Sequence, residues 1–282
     1  PAPMAALQAV EGKLRAEPLG YTVGLGLPAL REAIAGLYAE WYGVDLDPGR
    51  VVVTAGSSAG FLLTFSALFD AGQRVGVAAP GYPSYRAILK ALSLTPVALP
   101  TEAAEGHRVT PDALAGAAID GAIIASPNNP TGTMLDKGQL AGLIAAMGER
   151  AFISDEIYHG LHYGDRAVSA LEITDDVYVI NSFSKYFSMT GWRIGWMVVP
   201  EAHVRTIERL AQNMFICAPH ASQVAALGAL SPAARDELEG NRARLCPEPR
   251  PAASGAARRG LWQDRAAGWG ILPLCRCLRD DR

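Results

Sequence analysis

The chain has 282 residues, 50% of them apolar, a formal net charge of −3 and no apolar run of membrane-spanning length. That length suits one large α/β domain or one and a half, and the slightly acidic balance argues against a nucleic-acid partner. The opening stretch PAPMAALQAV lacks the basic and long apolar regions of a signal peptide. The cysteines (Cys217, Cys246, Cys275, Cys277) show no CxxC spacing, so a reducing, cytoplasmic setting is expected.

Residues 28–42, PALREAIAGLYAEWY, place Leu30, Ile34, Leu37, Tyr38 and Trp41 at helical spacing, with Pro28 suited to the first turn. Short apolar runs then recur at 51–55, 74–79, 121–126, 151–155, 177–183 and 194–199. Helical stretches such as 58–69 and 136–149 separate many of them. Strands alternating with helices predict a mostly parallel sheet covered on both faces, with ligands beyond the carboxyl ends of the strands.

The chemically interesting residues follow those runs. After 51–55, AGSSAGFLLTF leads from small residues into a helix. Its free N–H groups and the hydroxyls of Ser57 and Ser58 form either an anion site or an ordinary helix cap. After 74–79, PGYPSY sets Tyr82 on a fixed loop, either over a ring or in the core. After 121–126, PNNPTG holds Asn129 in a turn that can offer its amide to a ligand. Asp155 ends the 151–155 run; it either caps the next segment or pairs with a buried cationic ring nitrogen, and Tyr158 can reach the same ligand. After 177–183 come Ser182, Ser184 and Lys185, then Arg193. A desolvated lysine is a nucleophile toward carbonyls, and a guanidinium fork suits a phosphate or an ion pair. His159 and His162, at i, i+3 spacing without a third ligand nearby, read as ordinary loop residues, so no metal is expected.

Taken together, these parts are those that pyridoxal phosphate asks of a protein. The order GYT…G…LR, PGYPSY, SPNNPTG, SDEIY and SFSK…GWRIGW over roughly residues 3 to 240 resembles the class I/II aminotransferases, the fold-type I pyridoxal-phosphate enzymes. The resemblance implies a mostly parallel seven-stranded sheet flanked by helices. It implies that Lys185 carries the cofactor covalently and, once freed by substrate, moves the proton at Cα. Asp155 then holds the pyridine nitrogen protonated, Asn129 and Tyr158 bind the 3′-oxygen, and Tyr82 stacks on the ring. Ser57, Ser58, Ser182 and Arg193 match the phosphate contacts. Tyr21 matches a tyrosine that reaches the phosphate of a neighbouring subunit, so a homodimer is implied. The expected function is transfer of an amino group between an amino acid and a 2-oxo acid. The alternatives are a β-lyase or other amino-acid lyase of the same fold, or a catalytically inactive cofactor-binding remnant.

The resemblance assigns 13–212 to a large cofactor-binding domain and 1–12 with 213–282 to the remnant of a small domain, truncated or aberrant. The family's opening segment and its carboxylate-binding arginine have no counterpart, which predicts impaired transamination. Residues 241–282 carry nine arginines against four acids, with four prolines and three of the four cysteines. They do not match the family and read as a segment translated out of frame.

Overall fold

The computed structural model describes residues 1–162 and 165–245. The stretch expected to be out of frame lies almost wholly outside them. In chain order the elements are α1 (Met4–Ala16), α2 (Pro28–Tyr42), β1 (Val51–Thr54), α3 (Ser57–Leu68), β2 (Arg74–Ala79) and α4 (Pro83–Ala91). Then follow β3 (Thr95–Pro100), α5 (Pro111–Gly116), β4 (Gly121–Ala125), α6 (Lys137–Met147), β5 (Ala151–Asp155), β6 (Tyr178–Ser182) and β7 (Gly195–Val198). The helices α7 (Val204–Met214), α8 (His220–Ala229) and α9 (Pro232–Leu245) close the described chain.

The seven strands form one sheet in the order β1-β7-β6-β5-β4-β2-β3. Only the pairings of β7, with β1 and with β6, are antiparallel. The architecture is therefore the α/β, mostly parallel seven-stranded sheet expected. The strand absent from the sequence reading is β3. It carries Pro96 and Pro100 and lies at the sheet edge, where a proline removes no ladder bond on its open side.

Period-two alternation along the strands divides the core between the two faces of the sheet. Val51, Val53, Ala122, Ile124, Phe152 and Trp196 pack with Leu30 and Ile34 of α2 and Leu140 and Leu143 of α6. Val52, Ile123, Ile153 and Met197 pack on the other face with Phe61 and Phe65 of α3, Leu89 of α4 and Ile207 of α7. The same alternation sends Asp155 to the side of Ile153 and Glu156 to the side of Phe152. Two adjacent carboxyl groups thus reach opposite faces of the sheet.

The segment before α2 adds to the open edge of β1: Val53 N–H donates to the Leu25 carbonyl at 2.9 Å. Gly26, at φ +99°, permits this approach, since a Cβ there would stand 2.4 Å from Val53 Cγ2. Buried Gln223 of α8 fixes the same segment, accepting from Leu27 N–H at 2.7 Å and donating to Thr22 Oγ1 at 2.9 Å.

Candidate active site

The carboxyl ends of β1, β2, β4, β5 and β6 lie at one end of the sheet, and antiparallel β7 starts there. Five connections therefore deliver their side chains to one place: Ser57 and Ser58 after β1, Tyr82 and Tyr85 after β2, and Asn129 after β4. Tyr158 follows β5, Lys185 follows β6, and Arg193 precedes β7.

Asp155 is the deepest member, 2% exposed. The Tyr85 hydroxyl donates to its Oδ2, and Ile157 N–H donates to Oδ1 at 3.1 Å. Burial pushes its pKa up to about 6, against these hydrogen bonds and the charge of Lys185. Half-buried Lys185 responds in the opposite sense. Desolvation lowers the pKa of its amine, Asp155 opposes that and Arg193 adds to it. The ammonium nitrogen lies 5.2 Å from the centroid of the Tyr158 ring. Lysine and aspartate are thus coupled through one space rather than separated by the sheet.

Tyr158 is 5% exposed, and Asn129 Nδ2 donates to its hydroxyl oxygen at 3.1 Å. Burial first, and then the charge of Asp155, hold its hydroxyl well above the ordinary range, so the O–H remains a donor at neutral pH. Half-buried Tyr82 meets Tyr85 edge-on, with centroids 5.4 Å apart. The site thus has a buried acceptor at one end and two polar groups along one side.

The opposite end is cationic. Helix α3 starts at Gly56, φ +78°, with no side-chain cap, so its first N–H groups are free to meet an anion. Arg193 closes on that turn: a Cβ on Gly56 would stand 2.7 Å from Arg193 Nη2. Its Nη1 donates to the Thr190 carbonyl at 2.9 Å, and among the described residues no carboxylate pairs with it. Ser57 is half-buried and Ser58 exposed. The Ser182 hydroxyl serves its own loop, donating to the Ile194 carbonyl at 3.3 Å and accepting from Ser184 N–H at 3.0 Å.

Tyr21 stands elsewhere. It is 82% exposed, and Leu19 and Phe215 line the same surface hollow. His159 differs from the loop residue expected: it is 3% exposed, with both ring nitrogens hydrogen-bonded. Among the described residues no cluster of His, Cys, Asp or Glu could hold a metal ion. Sequence reasoning also missed Tyr85. The signal was present, because Tyr82 and Tyr85 stand at i, i+3 spacing at the start of a helix and share a face.

The donor set fits a flat, phosphorylated heteroaromatic aldehyde. A buried carboxylate suits a ring N–H and an amine with a lowered pKa suits a carbonyl; a guanidinium with no carboxylate partner among the described residues, beside a helix start without a side-chain cap, suits a phosphate.

Comparison with known proteins agrees. A valine–pyruvate aminotransferase from Mycobacterium tuberculosis is 44% identical over 250 residues, covering 86% of this chain and 64% of the relative. An aspartate aminotransferase from Thermotoga maritima is 34% identical over 218 residues, covering 74% and 58%. A crystal structure from Silicibacter pomeroyi is 59% identical with a TM-score of 0.80, covering 86% of this chain and 63% of that one. The chain thus spans less than two thirds of the length of each of these proteins. The family model described as aminotransferase class I and II matches residues 5–248. This chain belongs to the class I and II aminotransferase family.

Proposed function

We propose that the protein is an aminotransferase acting on an amino acid and a 2-oxo acid with pyridoxal phosphate, the cofactor of this family's enzymes. The observation that carries this reading is the placement of Lys185, 5.2 Å from the Tyr158 ring centroid, at the same strand ends as buried Asp155. When bound, pyridoxal phosphate supplies an aldehyde that condenses with amines and a ring that takes up the electron pair released at Cα.

The residues then divide the work. Asp155, ionised at neutral pH, accepts the pyridine N–H and keeps that proton in place. Lys185, whose pKa burial lowers, would supply the amine for covalent attachment, and the same nitrogen, when free, would hold and move the proton at the substrate Cα. Asn129 and Tyr158 donate to the ring's phenolic oxygen, and Tyr82 covers one ring face. The first turn of α3, Ser57, Ser58 and Arg193 hold the phosphate, while Ser182 keeps the Lys185 loop in shape.

We assign these roles to a large domain of residues 13–212, with 1–12 and the chain after 212 belonging to a smaller one. We assign a homodimer as the working state; exposed Tyr21 and its apolar neighbours suit a surface covered by a second subunit. A reducing, cytoplasmic setting suits Cys217, which forms no disulfide among the described residues. The relative named for valine and pyruvate makes that pair the first to assay.

The test is product analysis with paired substrates. A new amino acid formed from the 2-oxo acid, with matched loss of the donor, supports the reading. Ammonia release without amine transfer contradicts it and favours a lyase. Binding of the cofactor with neither product favours an inactive remnant.

A further inference from the structure

Behind Asp155, on the other face of the sheet, lies a buried polar cluster that the proposed chemistry does not use: Glu156, His159 and Tyr42. The imidazole of His159 has Nε2 2.9 Å from the Ser126 carbonyl and Nδ1 2.7 Å from the Tyr42 hydroxyl. Ser126 begins the loop that ends in Asn129. Its amide donates to the Asp155 carbonyl at 3.2 Å, and its hydroxyl oxygen accepts from Leu135 N–H at 2.9 Å. The three polar groups of Ser126 are therefore all fixed, one of them by His159.

We propose that His159 is a positioning residue: held by Tyr42, its ring clamps the Ser126 carbonyl and so sets Asn129 against Tyr158 at the phenolic-oxygen end of the cofactor. The inference rests on the cofactor reading above and adds a residue outside its contact shell.

The hydrogen bonds define the proton positions. A carbonyl only accepts, so Nε2 carries the hydrogen. Desolvation pulls the His159 pKa down to about 3, leaving Nδ1 bare to accept the Tyr42 O–H. Among the described residues, the charged or titratable groups around the ring are His162 and Arg166, both of which disfavour a cationic imidazole, together with Glu156 and Tyr42. Arg166 lies 5.1 Å over the Tyr42 ring and is paired with Glu172.

Glu156 Oε2 stands 3.6 Å from His159 Nδ1, beyond hydrogen-bond reach, and has no partner among the described residues. Its Oε1 accepts from Ser154 Oγ, Ser169 Oγ and Ala170 N–H. Burial pushes the Glu156 pKa up to about 8. The contact is thus one between a neutral acid and a neutral ring, not an ion pair. The negative charge at this strand end resides on Asp155, on the cofactor's side.

Three measurements on the full chain test the clamp. Imidazole ¹⁵N NMR at pH 7 is expected to show His159 as the neutral Nε2–H tautomer; an Nδ1–H tautomer or an imidazolium overturns the proposal. His159→Gln keeps a donor where Nε2 stands, and His159→Asn removes it. Titration with pyridoxal phosphate, followed by the visible band, is expected to give His159→Asn about tenfold weaker binding. The pH midpoint of that band should rise, because the phenolic oxygen loses well-placed donors. His159→Gln should stay within about threefold of wild type with an unmoved midpoint. Equal affinity and midpoint in wild type and His159→Asn overturn the clamp. Absence of a band in wild type overturns the cofactor reading instead, and the NMR result then still decides the ring's tautomer. If His159→Asn does not fold, the NMR tautomer and His159→Gln decide.

Discussion

The hydroxyl of Tyr85 donates to Oδ2 of Asp155, seventy positions further along the chain. With Ile157 N–H on Oδ1, both carboxylate oxygens are held before any ligand arrives. The acid is thereby aimed, yet burial still lifts its pKa to about 6. A carboxylate so placed destabilises the cofactor-free protein and gains when a protonated ring nitrogen meets it.

The Asp155 contribution to cofactor-free stability should therefore fall as pH rises, whereas His159, lowered from 6.5 to about 3, contributes with the opposite sign. The folded protein holds the Asp155 proton up to about 6, whereas the unfolded chain releases it near 3.8. The stability that Asp155 contributes is therefore lost across that window and is not regained above it. Glu156, lifted from 4.5 to about 8, acts with the same sign over a wider window. The Asp155 difference corresponds to about 3 kcal/mol. Asp155→Asn should stabilise the cofactor-free protein by roughly 1–3 kcal/mol at pH 8, with little change at pH 4, while weakening cofactor binding. Urea titrations at the two pH values measure this, and an unchanged difference between them contradicts it.

Tyr85→Phe removes one donor from the carboxylate, so its pKa should rise further. Pyridoxal phosphate should then bind this variant more weakly at pH 6 than at pH 8, by a larger ratio than in wild type. Parallel band titrations at both pH values give the ratio, and the same ratio in both proteins counts against the role of Tyr85.

Arg193 acts chiefly on the phosphate in this account, beside a smaller lowering of the Lys185 pKa. Arg193→Met should weaken pyridoxal phosphate binding by about 100-fold, corresponding to 2–3 kcal/mol for a charge-assisted bond. Affinity for pyridoxal, which lacks the phosphate, should change little. Competition between the two ligands separates these effects, and equal losses for both assign Arg193 a structural role.

Gly56→Ala tests the same end through the backbone. The added methyl would meet Arg193 Nη2 at 2.7 Å from a residue at φ +78°. Stability should drop by about 1–2 kcal/mol, and phosphate affinity should drop with it. Inorganic phosphate protection in thermal melts reads both, and undiminished protection contradicts the assignment of the α3 start.

Much of this was legible because strands and functional loops alternate locally. The apolar runs at 74–79 and 151–155 coincide with β2 and β5, and α2 spans the predicted residues 28–42. The residues that follow each run meet because parallel strands share one carboxyl end. The role of Tyr85, and that of His159, read as an ordinary loop residue, were hidden for another reason. The partner of Tyr85 is seventy residues away, and that of His159, Tyr42, is 117 away. The i, i+3 spacing puts Tyr85 on the face of Tyr82, but no local pattern names a hydrogen-bond partner across the fold. Edge strand β3 was hidden by its prolines, which the open side tolerates.

The central claim is that the amine of Lys185 stands within bonding reach of the cofactor's aldehyde. Incubation with pyridoxal phosphate, reduction with borohydride and peptide mass mapping test it directly. The account predicts one phosphopyridoxyl group per chain, on Lys185, and none after Lys185→Ala. A label spread over Lys13, Lys90 and Lys137, or none on position 185, would contradict it.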